Sequence, residues 1–169
     1  MKSITALSGF ALSGLLFTTS VDAANPETVS VDVTFVVAIT IVENNALQFG
    51  LIDEALNTET ITIATDNVVI DAGGMRVGGV PLAANLTITA EVGVSMNIAI
   101  GTILPGTGYT LTAFLCDYQG GTITACGGGG YIVTSVATGA LRVGVTLTGN
   151  NLAVPGVANG SFTVTVSYI

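Results

Sequence analysis

The sequence predicts an all-β, antiparallel β-sandwich. Apolar and polar residues alternate with a period of two in many short segments, and no segment sustains the 3.6-residue period of a helix. Glycine, proline or asparagine lies near most junctions between these segments, as at Gly73-Gly74 and Pro105-Gly106. Short strands at this spacing, separated by turn residues, are typical of antiparallel sandwiches.

The first predicted strand runs from Val29 to Ile41 and is unusually long. Its odd positions are all Val, Phe or Ile, and its even positions mix Ser, Asp, Thr, Val and Ala, which indicates one buried face. At about 3.3 Å per residue it would span roughly 43 Å, well beyond a usual strand of five or six residues. Eight further strands are predicted over Thr60–Ala64, Val68–Asp71, Leu86–Val92, Ser95–Ile100, Tyr109–Cys116, Tyr131–Val136, Leu141–Leu147 and Phe162–Tyr168.

The N-terminus has the pattern of a secretory signal peptide. Lys2 supplies a positive charge, residues 4–17 form a short apolar run, and Val21-Asp22-Ala23 resembles a cleavage site. We expect cleavage after Ala23, export to the cell surface, and no membrane insertion of the mature chain, since the apolar run is short for a bilayer. The predicted organisation is a signal peptide at 1–23, an N-terminal extension at 24–36 and a single domain at 37–169.

The composition favours self-association and argues against several partner classes. Half the residues are hydrophobic and only 8% are charged, against about 25% in typical globular proteins. The net charge of −8 argues against binding to nucleic acid or anionic lipid. After Lys2 the sequence has no lysine, the residue with which β-proteins commonly protect their edge strands. Controlled assembly would prevent such a chain from aggregating.

The two cysteines are predicted to form a disulfide. An exported protein meets oxidising conditions. A hairpin turning around Gly120-Gly121-Thr122 would place Cys116 directly opposite Cys126, at a separation that a disulfide can bridge. A redox-active pair is the weaker alternative, because the C-x-x-C spacing and a flanking cation are both missing.

Catalytic and metal-binding patterns are not found in the sequence. It has no histidine, which excludes Ser-His-Asp and Cys-His catalysis and most zinc sites. The acidic residues between Asp53 and Asp71 do not follow a calcium-loop pattern, and solvated loops explain them better. We therefore predict no enzymatic activity, no cofactor and no metal. A secreted hydrolase with paired carboxylates stays open as a weaker alternative, since carboxylate separation depends on the fold.

Four segments, in order, resemble a family of bacterial secreted proteins known as DUF4402. They are Leu47-Gln48-Phe49-Gly50, similar to the family's "LxFG" segment, and the ranges Asn85–Ile100, Leu141–Thr148 and Asn159–Tyr168. The cysteine pair departs from the family pattern. The resemblance implies an immunoglobulin-like or pilin-like β-sandwich of uncertain function, similar in style to pilin and adhesin domains, and it implies no active site.

Two interpretations of the first strand lead to different functions. It is either the first strand of its own sandwich, or a strand donated to a neighbouring copy through Val29, Val31, Val33 and Phe35, in the manner of donor-strand complementation in pili. Donation predicts a homopolymeric pilus or fimbria subunit, with a periplasmic chaperone and an outer-membrane assembly protein as further partners. The alternative is a monomeric secreted or surface-attached adhesin.

Overall fold

Antiparallel strands make up the regular structure of the computed structural model, which describes residues 30, 33–53, 58–104, 106–152, 156 and 159–169. No helix occurs among these residues. Residues Phe35–Ile169 form one compact unit. The predicted signal peptide and two of the proposed donor residues, Val29 and Val31, lie outside the described residues.

The described strands differ widely in length, and the longest are β7, β8 and β11. Their bounds are β1 Thr40–Asn45, β2 Leu51–Ile52, β3 Thr60–Ile63, β4 Val69–Asp71, β5 Arg76–Gly78, β6 Ala84–Thr89, β7 Ser95–Leu104, β8 Tyr109–Tyr118, β9 Thr124–Ala125, β10 Tyr131–Thr134, β11 Thr138–Gly149 and β12 Ser161–Tyr168.

A large sheet is built around β11. The first half of β11 pairs with β6 and its second half with β3, so that β6 and β3 follow one another along the same side of β11. Its other side pairs with β8, which in turn pairs with β9. Beyond β6 lies β1, and beyond β3 lies β4. Every pairing is antiparallel.

A smaller sheet packs against the large one. It consists of three strands in the order β10-β7-β12, while β2 and β5 form a separate two-stranded ribbon. Alternate residues from both sheets meet in one apolar core, as the period-two alternation requires. The all-β antiparallel sandwich predicted from the sequence is thereby confirmed. The largest fully buried apolar side chains are Ile61, Ile63, Ile88, Met96, Ile98, Leu141, Val143 and Val145.

The long first strand predicted over Val29–Ile41 is not found in that form. Residues 33–39 carry no strand pairing, and β1 begins at Thr40 and continues to Asn45. Side chains rather than a neighbouring strand bind the backbone of Val37. Alternation identifies residues that are able to form a strand, but a ladder also needs a partner strand alongside, and residues 33–39 have none among the described residues.

The disulfide is present, but its hairpin has a different register from the predicted one. Cys116 lies opposite Thr124 rather than Cys126. Gln119 and Gly120 both have positive φ, as in a tight type I′ turn, so the chain reverses about one residue earlier than expected. Cys126 is therefore diagonal to Cys116, and their Cα atoms lie 5.7 Å apart.

Candidate functional site

One side of the sandwich is closed by the segment that carries Cys126. Its amide nitrogen donates a hydrogen bond to the carbonyl of Phe114 in the large sheet (3.1 Å), and its carbonyl accepts one from Ile100 in the small sheet (3.1 Å). The disulfide to Cys116 fixes the same segment to β8. Cys126 thus joins the two sheets along this side.

The opposite side of the sandwich is open. Among the described residues, the large sheet ends there at β1, which pairs only with β6, and the small sheet ends at β12, which pairs only with β7. We call the opening between these two edge strands the groove. It contains a cavity of about 1000 Å³. The cavity floor is apolar and comes from both sheets; it includes Leu86, Tyr109, Leu111, Leu147, Phe162 and Val164.

The inward side chains of β12 show that the core is incomplete along the groove. Phe162, Val164 and Val166 alternate with exposed Ser and Thr, yet they are only half-buried. On the neighbouring central strand β7, the inward residues Met96 and Ile98 are fully buried. The pattern of β12 is therefore that of a core strand that lacks a neighbour on one side. Phe162 illustrates this, because its ring packs edge-on against Phe114 (5.1 Å between centroids) and also lines the cavity.

The wall of the groove beyond β1 is held by Arg76. Its guanidinium donates hydrogen bonds to the carbonyl oxygens of Phe49 (3.0 Å) and Gly79 (2.9 Å). Asp71 accepts hydrogen bonds from the amides of Met75 (3.0 Å) and Arg76 (2.8 Å). The hydrogen bond from the Arg76 amide is the main reason that the pKa of Asp71 lies below its ordinary value of 3.8. Both interactions fix the segments that carry Phe49 and Gly79.

Two glycines allow these wall segments to approach each other closely. Gly50 and Gly79 both have positive φ, a conformation that glycine adopts without steric penalty. A Cβ on Gly79 would lie 2.8 Å from the Cα of Gly50, too close for any side chain. The glycine of the Leu47-Gln48-Phe49-Gly50 motif is therefore required by the shape of the wall.

The groove also contains one inward-facing acid on β1. Ile41 and Glu43 lie opposite Ile88 and Leu86 of β6, so both point to the core side of the sheet, and both line the cavity. Glu43 is exposed, which keeps its carboxylate in contact with water. Inward-pointing charges on an edge strand are one way in which β-proteins discourage unwanted strand pairing.

Tyr109 contributes a hydroxyl to the otherwise apolar floor. Burial raises its pKa above the ordinary value of 10.0, so it stays neutral in the physiological range. The cavity lining is mainly apolar, with the neutral hydroxyl of Tyr109, a few polar side chains such as Gln48 and Asn159, and two acids, Glu43 and Asp53. Such a lining suits an apolar occupant.

One end of the groove is closed by the chain that precedes β1. The hydroxyl of Tyr168, at the end of β12, donates a hydrogen bond to the carbonyl of Val37 (2.7 Å) and accepts one from the amide of Glu91 (2.6 Å). The carboxylate of Glu91 accepts a hydrogen bond from the amide of Val37 (3.3 Å). Glu91 lies in the loop between β6 and β7. Buried Ser135 holds this loop by accepting a hydrogen bond from the amide of Val94 (3.1 Å). We call this the Val37 end and the opposite one, where Phe49 and Phe162 lie, the Phe49 end.

The described donor residues are exposed. Val33 is 63% and Phe35 is 90% accessible to solvent. Exposure of a phenylalanine to this degree is unfavourable in water. Among the described residues, exposed apolar side chains before β1 and an apolar groove are therefore found in the same chain.

Sequence reasoning identified the apolar segment but not the groove. The wall beyond β1 comes from β2, β5 and the loops beside them, which are too short to show a period, although the Phe49-Gly50 dipeptide was visible as a motif. Over the residues that the structure describes, no three acidic, cysteine or histidine side chains are grouped so as to hold a metal ion. Within the same ranges, no helix has the length and apolar character to cross a membrane.

The family described as "Domain of unknown function (DUF4402)" matches the chain over residues 39–168. The chain belongs to the DUF4402 family. The family region includes β1 to β12 and all the residues that line the groove, whereas Val33 and Phe35 precede it. No curated protein and no solved structure matches the sequence.

Proposed function

We propose that this DUF4402 protein is the structural subunit of an extracellular bacterial filament of the pilus or fimbria kind. In this proposal the segment Val29–Phe35 of one copy fills the groove of the next copy and completes its small sheet. The observation that carries the proposal is the apolar groove between two edge strands, β1 and β12, each of which is paired on one side only among the described residues.

The backbone requirements of the groove favour a strand as its occupant. An edge strand has a row of unpaired N–H and C=O groups, and an added strand satisfies them with a ladder of hydrogen bonds. A small apolar ligand would fill the cavity but would leave these backbone groups of β12 without partners. A peptide strand with apolar residues at alternate positions meets both requirements at once.

The residues before β1 have the composition that such a strand needs. Val29, Val31, Val33 and Phe35 alternate with Ser30, Asp32 and Thr34, so one face would be apolar and the other would contact water. Each inserted side chain would contribute about 1.5–3 kcal/mol through burial, before ordering costs. A chaperone in the periplasm and an assembly protein in the outer membrane are the further partners in this proposal, because an unfilled groove is prone to aggregation.

The experiment removes the segment and supplies it again as a peptide. A variant lacking Asn25–Thr34 is purified and compared with the full-length mature chain by analytical ultracentrifugation and negative-stain electron microscopy. We expect filaments from the full-length chain and none from the shortened variant. A synthetic peptide of residues 29–36 should bind the shortened variant and raise its melting temperature, whereas the same peptide with Val33→Asp should not.

Other results would favour the alternative functions. Filaments formed by the shortened variant would exclude assembly through this segment. A full-length chain that stays monomeric at high concentration, with a groove that does not bind the peptide, would favour a monomeric adhesin or binding module.

A further inference from the structure

We infer that the inserted strand runs antiparallel to β12 and parallel to β1, entering the groove from the Phe49 end, with Phe35 as its anchor in the cavity. This inference rests on the proposed function. It adds the direction of the inserted strand and the end of the groove at which that strand enters. It follows from where the chain leaves one copy and where the groove of the next copy is open.

The point of departure is fixed by the contacts of Val37. Both its amide and its carbonyl are bound by side chains, those of Glu91 and Tyr168. Because Tyr168 is at the end of β12 and Val37 precedes β1, these bonds connect the two edge strands at one end of the groove. The chain before Val37 therefore starts from the closed end of its own groove.

The cavity lies toward the other end of the same groove. Its lining includes Phe162 and Val164 of β12 but not Val166 or Tyr168, and Ile41 and Glu43 of β1 but not Ile39. The cavity also extends to Phe49 and to the residues just before β12. Among the described residues, an incoming strand thus meets the apolar cavity lining at the Phe49 end and a hydrogen-bonded closure at the Val37 end.

The direction of the strand follows if the Val37 end of one copy meets the Phe49 end of the next. Phe35, the donor residue nearest to Val37 in sequence, then lies at the mouth, and Val29 lies deepest. From Val29 to Phe35 the chain points toward the Phe49 end, which is the direction of β1 and the reverse of β12. The strand becomes the fourth member of the small sheet, in the order β10-β7-β12-donor.

The other ways of filling the groove give the opposite direction. If the segment folded back into its own groove, it would start at the Val37 end and run parallel to β12. A reciprocal exchange between two copies that meet at their Val37 ends would give the same parallel arrangement, in a closed dimer. Only the head-to-tail contact, which is heterologous and does not close on itself, builds a filament. Strand direction therefore distinguishes the filament from both alternatives.

Phe35 is the residue best placed to determine the strength of this contact. In the antiparallel arrangement it enters the cavity, where Phe49, Tyr109 and Phe162 provide aromatic surface. Aromatic rings bury large areas and gain from offset or edge-on contacts. The valines at 29, 31 and 33 would then lie further toward the Val37 end.

The test uses cysteine pairs on the outward faces of the donor segment and of β12. Full-length variants combine Thr34→Cys with Ser161→Cys or Thr163→Cys, near the Phe49 end, or with Ser167→Cys, near the Val37 end. Ser30→Cys is combined with Ser167→Cys as the reciprocal pair. Single-cysteine variants measure random oxidation, and circular dichroism checks folding.

The antiparallel arrangement predicts which pairs form links between subunits. Thr34→Cys should cross-link to position 161 or 163, and Ser30→Cys to position 167, each giving a reducible ladder of dimers, trimers and higher species on a non-reducing gel. The Thr34→Cys, Ser167→Cys pair should stay at the background of the single variants. Phe35→Ala should weaken filament formation more than Val31→Ala.

The outcomes separate this inference from the proposed function. Filaments whose Thr34→Cys links form with position 167 instead, or with no position on β12, would overturn the inferred direction and leave the filament proposal standing. Internal disulfides within a monomer, or closed dimers only, would overturn both. Equal losses from Phe35→Ala and Val31→Ala would remove the anchor role of Phe35.

Discussion

Replacing Val33 with aspartate should abolish filaments and leave the folded domain unchanged. Val33 is 63% exposed in the single chain, and surface substitutions of this kind usually change stability by no more than about 0.5 kcal/mol. Inside a neighbour's groove the same residue would be buried. The substitution there loses about 1.5–3 kcal/mol of apolar burial and brings a carboxylate into an apolar cavity, which costs several kcal/mol more.

The expected loss of affinity between subunits is large. A total of at least about 3 kcal/mol corresponds to more than about 100-fold weaker association, since 1.4 kcal/mol is a factor of ten. Glu43, which faces the same groove, adds repulsion between like charges. At concentrations where the unmodified chain forms filaments, the Val33→Asp variant should be monomeric by sedimentation velocity and show no filaments by electron microscopy.

Thr34→Asp is the matched control. It adds the same charge one residue away, on the face of the strand that would remain in water, and it should assemble nearly as well as the unmodified chain. Thermal unfolding of both variants should agree within about 2 °C, as expected for surface changes in a domain of this size. If Val33→Asp and Thr34→Asp assemble equally well, Val33 is not in the groove. If Val33→Asp lowers the melting temperature of the monomer strongly and Thr34→Asp does not, the strand belongs to its own domain.

Three further predictions concern stability. Replacing both Cys116 and Cys126 with alanine should lower the unfolding free energy by about 2–3 kcal/mol, as the short loop between them predicts; a denaturation midpoint equal to that of the unmodified chain would contradict this. Gly144→Ala should lower the unfolding free energy by about 1–3 kcal/mol or more, because its Cβ would lie 2.6 Å from the carbonyl oxygen of Ile63. Gly129→Ala, with open space around it, should change the unfolding free energy little. The stabilisation from Asp71 should be complete well above pH 3.8 and should be lost as the pH falls below it, since its folded pKa is lowered. The difference in unfolding free energy between Asp71→Asn and the unmodified chain should therefore shrink in acid. A difference that is constant with pH would refute this account.

The sequence by itself determined the fold class, the approximate positions of the long strands and the disulfide. Period-two alternation is a local property, and strands such as β7 and β8 have enough residues to show it. The spacing of Cys116 and Cys126 was likewise sufficient to predict the bond, although not the register of the hairpin around it. That register depends on a turn at Gln119-Gly120. This turn lies about one residue before the predicted one, so the residue opposite Cys116 differs from the prediction.

Tertiary structure alone decided where the sandwich is open. The groove exists because, among the described residues, β1 pairs only with β6 in the large sheet and β12 only with β7 in the small sheet, which leaves both as edges. Strand partners are chosen by packing between distant parts of the chain rather than by local sequence. The closure of one end depends on a hydrogen bond between Tyr168 and Val37, 131 residues apart. The sequence therefore specified an apolar segment before β1. Only the pairing of distant strands, which buries apolar surface, determined which strand edges border the groove.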